Sequence, residues 1–553
     1  LMLTQLIYTK KMRDYIKREI IRVLIEVYDL SEAEDIVEIQ KTSSKHVTSD
    51  YYTNIAMKLA KTLGEKPLLI AEKIVSSIIT DTNYKVWVAK PGYINFTLHQ
   101  SQKNNVVLEI IKSEDLLAGV KTSEARNIIV EFVSANPTGP LHVGHGRGAI
   151  YGNIISKYLE IQGHKVHKEY YVNDFGNQIN KLVISVFSRI DGTIAHGSSD
   201  LYEGDYINDI SKKIQQFIKN EGWDISIKKI LENNEHSKKL EACKKVIVSS
   251  ILENIRDSLS KLGIIFDNWF SESMLFENNL VDNIIARLRE TGKTIKKDGA
   301  LMFNDDEPRV LIKSNGEFTY FASDLAYHDR KMKKFDKVIN IWGADHHGYV
   351  KRIYKGLESL GHDVGKLDIH LIQFANLYRG KKKVSMSTRK GEFVELDTLL
   401  QEIGIDAINY FYLMRSKDQH LDFDLEVAVS SNKNNPVYYI QYAHARIEKI
   451  LSQVPEYNKY EFDYDNLTKK QEGDLVDKLI NFSDTCKKSI INLKPQIMTN
   501  YLYDLSQLFH GYYANERIIK DDMNYSQVYL LVAIQKVIKC GLETINIEAP
   551  RKM

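Results

Sequence analysis

The chain has 553 residues, too many for one hydrophobic core, so several domains are expected. Apolar residues make up 43% and charged residues 27%, the balance of an ordinary globular protein, and no stretch approaches the ~18 uninterrupted apolar residues that a membrane span requires. Lys plus Arg (75) nearly cancels Asp plus Glu (73), so overall charge gives no sign of nucleic-acid binding and any basic footprint must be local.

Charges follow Met2 too early and too often for a signal-peptide core, so a cytoplasmic protein is expected. Residues 1–115 read as an α+β module, with predicted helices near 12–27 and 51–63 and a hairpin over 86–89 and 93–98. In residues 116–184, the apolar run from Asn127 to Phe132 predicts a strand. A loop rich in Gly and Pro follows, then a helix from about 143 to 162 stopped by Gly163, then a strand over 165–172, which together make a βαβ unit. Residues 185–300 are polar and mostly helical (206–220, 240–262) and read as an insertion. Strand patterns at 309–313, 337–342 and 369–374 predict that the α/β sheet resumes over 301–430. Residues 431–553 are helix after helix and predict a separate bundle. Cys243, Cys486 and Cys540 lie far apart without CxxC spacing, so buried thiols are expected, with neither a disulfide framework nor a structural zinc site.

The first chemical motif is Pro140-Leu-His-Val-Gly-His-Gly-Arg-Gly148. His142 and His145 stand at the entry of the first βαβ helix, where unpaired N–H groups attract anions. Both imidazoles can donate to phosphoryl oxygens, more strongly as charge builds in a transition state. Gly144 and Gly146 remove side chains where a flat base would approach the backbone. Two other readings stand beside this one. The stretch Gly144 to Ala149 also fits the dinucleotide pattern G-x-G-x-x-A, although a loop with Pro137 and Pro140 separates it from the strand. An isolated HxGH is equally a helix cap.

The run from Glu131 to His145 closely resembles the first signature of class I aminoacyl-tRNA synthetases in its arginyl form. Further resemblance runs, in that family's order, through Tyr171-Val-Asn-Asp-Phe-Gly-Asn-Gln, Tyr320-Phe-Ala-Ser-Asp-Leu-Ala-Tyr-His, Trp342-Gly-Ala-Asp-His-His-Gly-Tyr, Ser385-Met-Ser-Thr-Arg-Lys-Gly, Pro436-Val-Tyr-Tyr-Ile-Gln-Tyr-Ala-His-Ala-Arg and Ile545-Asn-Ile-Glu-Ala-Pro. The resemblance implies an α/β fold: a Rossmann-like class I catalytic domain with an insertion, an N-terminal α+β module touching the tRNA elbow, and a C-terminal helical anticodon-binding bundle. The implied substrates are ATP with Mg2+ as its counter-ion, L-arginine and tRNA(Arg), handled by a monomer whose adenylate forms only with tRNA bound.

By the same resemblance, Val384 to Gly391 occupies the position of the mobile KMSKS loop, in degenerate form. Ser385 and Thr388 stand where lysines are usual, which leaves Arg389, Lys390 and Lys381 to Lys383 as cations and Met386 and Ser387 beside the nucleotide. A solvated basic hairpin is the alternative. Selecting a guanidinium over an ammonium requires carboxylates set for bidentate bonding. Tyr320 and Asp324, four apart on one helix face, match the arginyl Y-x-x-x-D pattern, with Glu272 as a second carboxylate. Glu131 and Asn136, leaving the first strand, are implied to hold the amino acid's α-amino and carboxylate end, and Asp345 the ATP ribose or the substrate. His346 and His347 diverge and lack a third ligand, so no metal site is expected. Arginine's donor fork makes an editing site unnecessary. In Tyr438 to Arg446, aromatics suited to stacking on bases are interleaved with a cation, and each is equally a core residue. The rival functions are a non-catalytic tRNA-binding paralogue and an HxGH nucleotidyltransferase that acts without RNA; the latter leaves the C-terminal bundle unexplained.

Overall fold

The structure is a computed structural model that describes residues 7–30, 32–42, 49–79, 83–191, 201–223, 237–384 and 394–553, side chains of 7–11 and 191 excepted. The N-terminal module consists of α1 (Ile7–Tyr28), β1 (Gln40–Lys41), β2 (Tyr51–Thr53), α2 (Ile55–Leu63), α3 (Pro67–Ser77), β3 (Tyr84–Ala89) and β4 (Tyr93–Leu98), its antiparallel sheet ordered β1-β2-β4-β3. The helix expected over 51–63 starts only at Ile55. Tyr51 and Thr53 instead pair with Phe96 and Ile94, as their aromatic and β-branched side chains favour. The module's core runs from Met12 to Leu98. In α4 (Gln100–Lys112), Val106, Val107 and Ile110 pack instead into the core shared with the C-terminal helices.

The catalytic sheet is parallel throughout, and its middle strands are covered on both faces by helices. It contains β5 (Asn127–Glu131), β6 (Lys165–Val172), β7 (Asn268–Ser271), β11 (Lys337–Gly343) and β12 (Leu367–Ile372), in the order β12-β11-β5-β6-β7. Ile128, Ile129 and Val130 are all buried, so β5 reads as an unbroken apolar run rather than an alternating one. α5 (Val143–Ile161) crosses from β5 to β6 as the spacing predicted. β7 lies inside the stretch expected to be a helical insertion, between α8 (Ser237–Lys261), which follows α6 (Asn177–Asp191) and α7 (Asp205–Asn220), and α9 (Leu280–Glu290). Conversely, β10 (Arg309–Ile312), expected in the resumed parallel sheet, pairs antiparallel with β9 (Ala300–Phe303), which pairs with β8 (Thr294–Lys297). The Asp298-Gly299 corner, where both residues have positive φ (50° and 77°), closes the tight hairpin of β8 and β9, and β10 adds to β9 as the third strand of that small antiparallel sheet.

After α10 (Tyr320–Lys334), β11, α11 (His347–Ser359) and β12, a small sheet joins β13 (Ala375–Arg379), β14 (Lys382–Lys383) and β15 (Leu421–Asp424), with α12 (Leu396–Leu413) between β14 and β15. The C-terminal bundle comprises α13 (Pro436–Leu451), α14 (Lys470–Ile480), α15 (Pro495–Asn515) and α16 (Tyr525–Thr544), with shorter turns between. α5 is built into it: the Tyr158 hydroxyl lies 3.0 Å from Ser489 Oγ, and Gln162 Nε2 donates to the Ile490 carbonyl at 3.0 Å.

Candidate active site

Strand order reverses between β5 and β11, the place where open α/β sheets bind ligands beyond the strands' carboxyl ends. The chain leaving β5 carries two non-glycine residues with positive φ, Val133 (67°) and Ser134 (41°), a strain that persists only when surroundings impose it. Ser134 is clamped there: its hydroxyl donates to Glu131 Oε1 (3.0 Å) and accepts from the Tyr171 N–H (3.1 Å).

His142 is the N-cap of α5, and its Nδ1 accepts from the Gly144 N–H at 3.1 Å. His145 Nδ1 accepts from the His142 N–H at 3.2 Å, and the two rings lie 3.9 Å apart. Both Nδ1 atoms are thus acceptors, which puts the proton of each neutral imidazole on Nε2 and makes Nε2 a donor. Burial drives His145 down to about 3, helped by His142, and lowers His142 as well. The cap and the donor pair are therefore one arrangement.

The glycines serve the local packing. A Cβ on Gly144 would stand 2.8 Å from the His142 ring, and one on Gly146 2.9 Å from the Tyr412 ring, whose hydroxyl donates to the Val143 carbonyl. Gly144 and Gly148 line a cleft with His145, Trp342 and Phe374, whereas Gly146 faces Tyr412. Arg147 is buried and donates to the carbonyls of Gln373, Gln419 and Ser416 (2.7–2.8 Å), tying the start of α5 to the residues before β13 and β15. Asp345 is exposed after β11, and its carboxylate folds back over Gly343, where a Cβ would stand 2.4 Å from Oδ1.

Ser385, Met386, Ser387, Thr388, Arg389 and Lys390 lie outside the described residues. The exit flank is anchored at the motif, the Val143 N–H donating to the Val394 carbonyl and the Leu396 N–H to the Leu141 carbonyl, whereas on the entering side the Val384 N–H donates to the Leu377 carbonyl of β13. Lys381, Lys382 and Lys383 are exposed on the entering side.

Beyond the ends of β6, β7 and β11 lies a cluster of carboxylates. Glu272 is 2% exposed, and Asp324, half-buried, sits in the second turn of α10. Tyr349 donates to Asp324 Oδ2 at 2.5 Å, and the Tyr171 and Ser323 hydroxyls bond Glu272. With its amide oriented to donate, Asn173 lies 2.7 Å from Glu272 Oε2. Burial, reinforced by Asp324, pushes Glu272 up to about 8. Burial, reinforced by Glu131 and opposed by the Tyr349 bond and by the Lys331 charge, pushes Asp324 up to about 7. The nearby buried carboxylates are paired, Glu169 with Arg330 and Glu131 with Lys331, both at 2.8 Å; among the described residues Glu272 and Asp324 form no such pair. Tyr320 is 60% exposed at the first position of α10, and Asn136 is exposed on the loop after β5.

Tyr171, Asn173, Tyr349, Ser134 and Lys331 were not singled out from sequence. Tyr171, Asn173 and Tyr349 lie inside matched motifs, but their partners are far along the chain, as with Tyr349 and Asp324, 25 residues apart, and only the fold pairs them.

On α13, Ile440, Ala443 and His444 enter the core, while Tyr438, Tyr442 and Arg446 stay half-buried on another face. Tyr438 and Tyr442 stack at 5.8 Å, Tyr442 and His510 likewise, and the Arg446 guanidinium sits 4.3 Å over Tyr442 and 4.8 Å over Tyr513. On the N-terminal sheet, Trp87 (37%) and Tyr93 (36%) are exposed.

A five-stranded parallel sheet with an HxGH helix entry at its switch point, followed by a helical bundle, defines a class I aminoacyl-tRNA synthetase. Residues 106–464 match the family described as tRNA synthetases class I (R), catalytic domain; residues 440–553 match the DALR anticodon binding domain, and residues 10–98 the arginyl tRNA synthetase N terminal domain. The arginine–tRNA ligase of Thioalkalivibrio sulfidiphilus is 38% identical, covering 94% of this chain and 95% of that one, and that of Bacillus velezensis is 36% identical, covering 98% and 99%. The Thermus thermophilus arginyl-tRNA synthetase structure shares the fold, with a TM-score of 0.69 at 20% identity over 98% of this chain and all of that one. The chain belongs to the arginyl-tRNA synthetase family.

Proposed function

We propose that arginine is read by Glu272 and Asp324 and activated at the entry of α5, in an enzyme that joins arginine to tRNA(Arg) using ATP. The observation that carries this reading is a pair of carboxylates, Glu272 buried and Asp324 half-buried, that form no ion pair among the described residues and have raised proton affinity. A guanidinium offers two parallel donors and a permanent charge, which satisfies both carboxylates at once, whereas a smaller side chain leaves them unpaired. Tyr349 and Tyr171 orient these carboxylates, and Tyr320 closes the exposed side. Glu131, with Asn136, takes the α-amino and carboxylate end.

The substrate carboxylate oxygen then attacks the α-phosphorus of ATP; the new O–P bond replaces the bond to the β-phosphate oxygen, and pyrophosphate leaves. Nε2–H donors of His142 and His145 bond the phosphoryl oxygens as charge accumulates, and both rings stay neutral near pH 7. The base lies in the cleft between Trp342 and Phe374, beside Gly144, with Asp345 toward the ribose. Lys390, Arg389, Met386 and Ser387 are assigned to the triphosphate, the chain beyond them being bonded to the motif at Val394 and Leu396. Mg2+ enters as the counter-ion of ATP. In the second step the terminal ribose hydroxyl of the tRNA attacks the adenylate carbonyl, the ester forms and AMP departs. The half-buried Tyr438, Tyr442 and Arg446 face suits splayed bases, and Trp87 with Tyr93 a second RNA contact. A cytoplasmic monomer is part of the same reading.

The testing experiment is ATP–pyrophosphate exchange with each amino acid, with and without tRNA. Exchange confined to arginine supports the reading; exchange with lysine at comparable efficiency contradicts it.

A further inference from the structure

Lys331 is fully buried on α10, two turns beyond Asp324. Its Nζ donates to Glu131 Oε2 and to Asn340 Oδ1, each at 2.8 Å, and lies 4.1 Å from the centroid of the Tyr327 ring. Asn340 donates to His328 Nε2 at 2.5 Å, and His328 Nδ1 donates to the Asp324 carbonyl at 2.7 Å. A polar chain thus runs from Glu131 on β5, through β11, to the turn of α10 that carries Asp324.

An ammonium taken out of water is expensive, and a buried ion pair often adds no more stability than apolar residues of the same volume. Holding β5 to α10 does not require a charge there. The surroundings suggest why one is kept: the Tyr171 hydroxyl bonds Glu272 and feels the charges of Asp324 and Glu131 as well, so three carboxylates act on one region. Of the three, only Glu131 forms an ion pair with a cation of the protein's own among the described residues, while Lys331 reaches Asp324 only through its field. Without Lys331, an incoming guanidinium could pair with Glu131 as well as with Glu272 and Asp324, and the amino acid would have two registers in the pocket.

We propose that Lys331 is a positioning residue for arginine: by occupying Glu131 Oε2 from the protein interior, it leaves Oε1, which accepts from the Ser134 hydroxyl and has a second lone pair, to the substrate's ammonium and reserves Glu272 and Asp324 for the guanidinium. This rests on Glu131 being the α-amino partner. Lys331 never touches the substrate and acts through Glu131 and the Asn340–His328 link.

The test is a double-mutant cycle in the full-length enzyme with tRNA, measuring kcat and both KM values for Lys331→Met, Glu131→Gln and the pair, with Lys331→Arg as the charge-retaining control. Lys331→Met should raise the arginine KM by about ten- to a hundredfold with the ATP KM within about threefold, the scale for leaving a buried charge unpaired. Lys331→Arg should recover most of that loss. In the Glu131→Gln background, Lys331→Met should add little, since its route runs through Glu131. If Lys331→Met alone does not fold, the double variant still decides, because it buries no unpaired charge: an arginine KM equal to that of Glu131→Gln upholds the proposal. A full further rise in that background, or equal changes in arginine and ATP KM, overturns it. An unchanged arginine KM in Glu131→Gln itself removes the α-amino reading of Glu131, a failure separate from the others.

Discussion

The entry of α5 and the carboxylate pocket sit at the same sheet edge but are built on opposite terms. At the α5 entry both Nδ1 acceptors are occupied by backbone N–H groups from within four residues, so the donors are set before any ligand arrives. At the other site Glu272 is buried and Asp324 half-buried, with hydroxyl and amide partners but no ion pair among the described residues, and their proton affinity has risen accordingly. On the proposed reading, one half is finished by its own chain and the other by its substrate. That difference separates catalytic preorganisation from substrate selection.

The strongest break between the two should come from His145→Ala. It removes a donor needed only as charge develops, so activation should slow by about one to three orders of magnitude with the arginine KM nearly unchanged. Pre-steady-state adenylate formation checks this, and unchanged turnover would reduce the motif to a helix cap. Asp324→Asn should do the reverse. Losing one side of the charged fork should raise the arginine KM by roughly ten- to a hundredfold while the ATP KM stays close to its original value. Equal effects on both would place Asp324 in the scaffold. The smallest effect on chemistry belongs to Gly146→Ala. It forces a methyl against Tyr412 and should cost about 1–3 kcal/mol of stability in thermal unfolding, and Tyr412→Ala in the same chain should relieve part of it. A loss of ATP affinity without a stability change would instead make Gly146 part of the nucleotide wall.

The same contrast explains what the sequence made legible. Spacing within one turn placed His142 beside His145, and the apolar run of β5 with Gly163 bounded the first βαβ unit almost to the residue. What depends on distant partners was not legible. Four-residue β7 carries too short a pattern to stand out among helices, and β10 has strand chemistry without any local sign of which sheet it joins. Lys331 looks like a surface lysine in Arg330-Lys-Met-Lys-Lys334 until the fold turns it inward. The interleaving of α5 with the C-terminal helices was equally hidden. It means that deleting residues 436–553 would expose that shared core, so truncation cannot isolate the contribution of RNA binding.

The central claim is that a guanidinium completes a carboxylate pair that otherwise holds protons. Folding raises Asp324 from 3.8 to about 7 and Glu272 from 4.5 to about 8. A raised acid contributes stability that is fully present below its unfolded value and lost as pH climbs through the folded one, so the unliganded pocket loses stability toward pH 8. Arginine binds the ionised form, so its affinity should rise over the same window. The direct measurement is the KM for arginine and for ATP from pH 6 to 9: the arginine KM should fall by about tenfold or more through pH 7–8 while the ATP KM stays level. An arginine KM that is flat across that range, or that moves in step with the ATP KM, would contradict the account.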